Sequence, residues 1–129
     1  MAEKEVIRTD QAPAPFQGAP YNQAIRVRDL VFVAGQFGIE PESGELAGPT
    51  VRDQTGQIMR NLSAILAAAG TGLENLVKTT VFLTDLGDFE GMNEVYARYV
   101  GAAPPARSTI EIGALPSGAV VEIEAVAHV

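Results

Sequence analysis

The stretch from Pro104 to Ala127 constrains the fold most, because it holds two runs with a two-residue period. Arg107 to Gly113 and Val120 to Ala127 flank Leu115-Pro116-Ser117-Gly118, where proline second and glycine fourth suit a type I turn. Both runs are predicted strands. Side chains alternate between strand faces, so Arg107, Thr109 and Glu111 share one face of the first strand. Glu122 and Glu124 share one face of the second with Val120 and Val126. Ser108, Ile110 and Ile112, with Val121, Ile123, Ala125 and Ala127, take the opposite faces, which suit a core. The expectation is one apolar side, and one side that sets an arginine and several carboxylates among small and apolar residues. On composition alone, that polar side reads as a solvated surface with cross-strand ion pairs rather than as a site.

Upstream, Glu5 to Thr9 is a short predicted edge strand, followed by a loop over Gln11 to Pro20 whose prolines and glycine rule out a regular ladder. Gln23 to Arg28 alternates weakly, and Arg28-Asp29 turns the chain into Leu30 to Ala34. There Val31, Phe32 and Val33 are consecutively apolar, so this strand requires cover on both faces. Pro41-Glu42-Ser43-Gly44 marks a turn, and a helix starts near Thr50 to Asp53. Ile58, Met59, Leu62, Ile65, Leu66 and Ala69 give it one apolar stripe, and Gly70 ends it. Leu76 to Leu83, rich in Val and Thr, is a strand. Asp88 is an N-cap candidate for a second helix, on which Phe89, Met92, Tyr96 and Tyr99 fall three and four apart.

The order βββαβαββ predicts an α+β fold in a single domain spanning residues 1–129. Two helices cover only one face of such a sheet, so the other face meets solvent or another chain. The doubly apolar Leu30 to Ala34 strand favours another chain, which predicts an oligomer without fixing its number.

The chemistry open to these residues is narrow. His128, next to the C-terminus, is the only histidine and there is no cysteine, which excludes the usual metal constellations and histidine-dependent triads. The absence of thiols fits a reducing cytoplasm. Met1-Ala2-Glu3-Lys4-Glu5 lacks the order of a signal peptide, and no apolar run reaches spanning length, so the expected location is cytoplasmic with no membrane partner. A formal charge of -7 with scattered basic residues argues against nucleic acid as a partner. No phosphate-binding glycine motif is present. What remains is Arg107, several carboxylates, a few tyrosines and the backbone beside Gly35, a set suited to binding a small carboxylate and steering water onto an adjacent carbon. Arg107 as a structural partner of Glu111, Glu122 or Glu124 is the competing reading.

The run Pro105-Ala106-Arg107-Ser108-Thr109, with Val121-Glu122-Ile123-Glu124-Ala125-Val126-Ala127, closely resembles the C-terminal signature of the RidA (YjgF) family of enamine/imine deaminases. Further likenesses in the family's order are Pro20-Tyr21-Asn22-Gln23-Ala24, Val31-Phe32-Val33-Ala34-Gly35-Gln36, Val77 to Asp85, and Met92-Asn93-Glu94-Val95-Tyr96. The resemblance implies a chorismate-mutase-like fold, a sheet with two helices on one face, assembled as a barrel-like homotrimer with sites between subunits. It implies hydrolysis of 2-iminobutanoate and 2-iminopropanoate to 2-oxo acids and ammonia, without a cofactor, downstream of pyridoxal-phosphate-dependent dehydratases. Arg107 would bind the substrate carboxylate and Glu122 would orient or deprotonate water, with Glu124 structural or an electrostatic neighbour. Tyr21, Gly35, Asn93 and Thr109 would line the substrate site, Thr109 standing where many relatives carry cysteine. Two alternatives stay open: an endoribonuclease that inhibits translation, and a non-catalytic trimeric module that holds small carboxylates or protects other proteins.

Two departures from the family pattern bear on the pocket. Ala34 replaces the usual serine before Gly35, and Ala19 is an extra residue between Gly18 and Pro20.

Overall fold

The computed structural model describes residues 3–129; Met1 and Ala2, the start of the N-terminal segment discussed above, lie outside the described residues. Strands β1 (Glu5–Ile7), β2 (Ala24–Val27) and β3 (Leu30–Gln36) precede α1 (Val51–Ala68). Then follow β4 (Leu76–Leu83), α2 (Phe89–Val100), β5 (Ala106–Glu111) and β6 (Val121–His128), the expected βββαβαββ order. The strands form one six-stranded mixed sheet in the order β1-β2-β3-β6-β4-β5. Only β4 and β5 are parallel. Parallel neighbours need a crossover, which α2 supplies.

The two alternating runs are strands but not neighbours, because β4 lies between β5 and β6. Their link turns one residue later than expected. Ser117 and Gly118 both have positive φ, 59° and 80°, and Ala119 N–H donates to Pro116 C=O at 3.1 Å. A type I turn has no such angles, and the small Ser-Gly pair tolerates them where bulkier residues would not.

Both helices cover one face. Thr50 caps α1, its Oγ1 accepting from Asp53 N–H at 3.1 Å. Below it Ile58, Met59, Leu62, Ile65 and Leu66 are fully buried against Val31, Val81, Leu83, Val121, Ile123 and Ala127 of the sheet. Asp88 precedes α2 but caps nothing, because its φ of -86° and ψ of 0° are not the extended geometry that aims a capping side chain. Asp85 accepts from Gly87 N–H at 2.8 Å instead. Buried Gln54 on α1 ties two connections to the core, accepting from Val120 N–H at 2.8 Å and donating to Gly48 C=O at 3.0 Å. The first of these bonds anchors the chain just before Glu122.

The register overturns one expectation. Thr79, Val81 and Leu83 are buried on the helix side, and they pair with Arg107, Thr109 and Glu111, which therefore face the helices too. Phe82 and Thr80 pair with Glu122 and Glu124 on the open face, where Ser108 and Ile110 also point. Arg107 and the β6 carboxylates do not share a side, and Ile110 is 45% exposed rather than core. Alternation partitions each strand correctly, but β4 sets the phase of one strand against the other, and neither run contains that information. On the open face Phe32 is 46% exposed, so helices cover only one side of β3.

Candidate active site

On the helix side, Arg107 lies across α2. Its guanidinium carbon is 4.9 Å from the Tyr96 ring centroid and 5.6 Å from that of Phe89, both within cation–π range. Nη1 lies 3.9 Å from Met92 Sδ. Tyr96 is fixed in turn by a 2.7 Å hydrogen bond to buried Thr79 Oγ1. Among the described residues Arg107 makes no ion pair. Glu111, two positions beyond Thr109 on the same face, accepts from Leu86 N–H at 2.8 Å and so holds the turn before α2 rather than the arginine.

Thr109 and Asn93 join this half of the site. Thr109 sits half-buried on the face of Arg107. Ile112 N–H donates to Leu83 C=O, and backbone direction alternates along a strand. The N–H groups of Arg107, Thr109 and Glu111 therefore point out from the free edge of β5. Asn93 is half-buried, four residues after Phe89 and three before Tyr96, which puts it on their side of α2.

The other candidates gather on the open face. Glu122 is half-buried against Gly35, where a Cβ would strike its carboxylate, with Glu122 Cδ 2.8 Å from that position. The register of β3 against β6 shifts between Val33 and Gln36, so the bulge places Gly35 beside the acid. A pocket of about 330 Å³ opens here, lined by Phe16, Tyr21, Phe37 and Pro116 as well as Gly35 and Glu122. Burial, and secondarily the Glu124 carboxylate, push the Glu122 carboxyl above the usual carboxylate range. Tyr21 turns its ring to the pocket while its hydroxyl accepts from Phe16 N–H at 2.6 Å.

The sequence candidates thus fall into two halves of a candidate site on opposite faces of one sheet: Arg107, Thr109 and Asn93 on one, Glu122, Gly35 and Tyr21 on the other. The arginine half can orient a carboxylate, and the glutamate half can exchange a proton inside an apolar pocket. Sequence reasoning missed the aromatic shelf. Phe89, Met92 and Tyr96 carry a helical period that signals packing, and nothing local says that Arg107 packs on them. Phe16, Phe37 and Pro116 lie in three separate loops and gave no signal. His128 is exposed, its Nδ1 3.3 Å from Val129 O, far in role from either half. Among the described residues no group of three or more metal-ligating side chains occurs, and no helix is long and apolar enough to cross a membrane.

Comparison with known proteins agrees with this architecture. Residues 9–129 match the family described as Endoribonuclease L-PSP. The chain is 46% identical to Reactive Intermediate Deaminase A, chloroplastic, of Arabidopsis thaliana, over 97% of this chain and 66% of that one. It is 44% identical to the 2-iminobutanoate/2-iminopropanoate deaminase of Mus musculus, over 96% of this chain and 90% of that one. The crystal structure of RidA from an Antarctic Psychrobacter superposes with a TM-score of 0.92 at 41% identity, over 97% and 99% of the two chains. Both the sequence match and the shared sheet-and-helix architecture run nearly end to end, and the protein belongs to the Endoribonuclease L-PSP, or RidA (YjgF), family.

Proposed function

We propose that the protein hydrolyses reactive 2-enamine and 2-imino acids, 2-iminobutanoate and 2-iminopropanoate among them, to 2-oxo acids and ammonia. The site is shared between copies of a homotrimer, Arg107 of one copy facing Glu122 of the next. The observation that carries this reading is that both charges are held ready and unspent. Arg107 rests on aromatic rings, Glu122 rests against a glycine, and among the described residues neither has an ionic partner.

Arg107 offers two parallel donors to the substrate carboxylate, with the outward Thr109 N–H as a further donor beside it. This fixes the plane of the imine. Glu122, its affinity for protons raised by burial, accepts a proton from water as the oxygen adds to C2. The imine nitrogen gains protons, the C2–N bond breaks with its electron pair leaving on ammonia, and C2 becomes the carbonyl of the 2-oxo acid. One water enters and one ammonia leaves, with no oxidant or reductant. Because the imine is already electrophilic, orientation supplies much of the acceleration.

The endoribonuclease reading fits the site less well. On this chain the pocket's charged residue is Glu122, with Glu124 nearby, so the one arginine that the next copy brings meets carboxylates that repel phosphate, and the one histidine is not among the lining residues. The direct test couples a dehydratase that releases 2-aminocrotonate to this protein. Faster imine decay with matching 2-oxobutanoate is expected; decay at the uncatalysed rate would overturn the deaminase reading.

A further inference from the structure

The two departures from the family pattern lie on different elements, Ala19 in the loop before β2 and Ala34 within β3, yet both line the pocket beside Glu122. Resting on the deaminase reading, we propose that this pocket selects 2-imino acids with large apolar side chains over the alanine- and serine-derived ones, with Ala34 and Ala19 as specificity-determining residues.

The pocket walls have little to offer a polar side chain. Phe16 and Phe37 meet edge to face, centroids 5.9 Å apart at 76°, and close one end. Tyr21 has the wall's one side-chain hydroxyl, which accepts from Phe16 N–H and keeps a single O–H to donate. At Ala34 a methyl stands in place of a hydroxyl, and its N–H is taken by Gln23 C=O at 2.9 Å. Glu122 is the only charged residue among those lining it. A substrate whose C2 lies at the Glu122 carboxylate has one group left to place, its side chain, and this apolar space is what adjoins it.

Ala19 fixes the wall. Its N–H donates to Phe16 C=O at 3.0 Å and its C=O accepts from Tyr21 N–H at 2.9 Å, so the extra residue closes the turn that holds both rings. Within that turn Gln17 and Gly18 have φ of 52° and 68°, a tight reversal rather than a loose loop. This chain's share of the pocket encloses about 330 Å³ and is open on one side, which the next copy of the proposed trimer would close.

The test has two readouts. Binding of 2-oxopropanoate, 2-oxobutanoate, 4-methyl-2-oxopentanoate and 3-phenyl-2-oxopropanoate is measured by calorimetry. Turnover is measured on the corresponding imino acids, released in place by an amino-acid oxidase with catalase. Affinity and kcat/KM are expected to rise by about fourfold for each further methylene buried. Ala34→Ser should shrink the ratio of the leucine-derived to the alanine-derived substrate by about threefold or more. Deletion of Ala19 should shrink it further, with the fold checked by circular dichroism. Flat or reversed orders in both readouts would overturn the pocket preference while measurable hydrolysis keeps the deaminase. The expected order in binding with no hydrolysis of any substrate would keep the pocket preference and remove the deaminase.

Discussion

Gly35 and Glu122 are fitted to one another: the space a Cβ would occupy at Gly35 is taken by the Glu122 carboxylate. The obstructed atoms are the far end of a flexible side chain, so Gly35→Ala can be accommodated by moving the carboxyl group rather than the strand. The expected result is a change in stability of less than about 1 kcal/mol and a fall in turnover of tenfold to about a hundredfold, since a displacement near 1 Å is enough for that. Thermal unfolding and steady-state kinetics on the same preparation check it.

The raised proton affinity of Glu122 has a sign that can be measured. The folded chain holds this proton more tightly than the unfolded chain does, so stability falls as pH rises from the usual glutamate value through the raised one. Glu122→Gln should therefore match the wild type in acid and be more stable than it at neutral pH. Glu124→Gln removes the like charge, and should shift the acid limb of the pH–rate profile to lower pH with turnover otherwise mild in its change. Denaturant titrations across pH, alongside the rate profile, check both.

The shelf under Arg107 separates orientation from stability. Tyr96→Phe keeps the ring face and leaves the Thr79 hydroxyl buried without its partner, a loss of about 1–3 kcal/mol of stability with little change in KM. Phe89→Ala removes an exposed ring from beside the Arg107 guanidinium, so KM should rise several-fold while stability changes little. Comparing KM with the unfolding midpoint for the pair checks the assignment.

Much of the fold was legible because it rests on local periods. The α1 stripe, the Leu76–Leu83 strand and the β6 alternation are each buried as their spacing requires. What the chain did not disclose is relational. The Arg107 strand and the Glu122 strand alternate equally well in either phase, and only the intervening β4 decides that they face apart. The family likeness identified Arg107 and Glu122 as candidates, but the rings that carry the arginine and the loops that enclose the acid are brought together by tertiary contacts. Asp88 failed as a cap for a similar reason: residue type was right and backbone angle was not.

The open face makes its own prediction. Phe32, Ile110 and Val6 are exposed there in the single chain, and a homotrimer would cover that face. Light scattering at micromolar concentration should give three chains per particle, and Phe32→Glu should shift it toward the monomer with loss of turnover.

Placing Arg107 and Glu122 on opposite faces of one sheet makes the shared site testable by complementation. Arg107→Ala and Glu122→Gln are prepared separately, each expected to lose about a hundredfold or more in kcat/KM. Unfolded together and refolded as a mixture, they should recover about a quarter of the wild-type turnover per chain, since random assembly then pairs an intact arginine with an intact glutamate at that fraction of interfaces. No recovery in mixed particles of the same size as the wild type would contradict a site built from two copies.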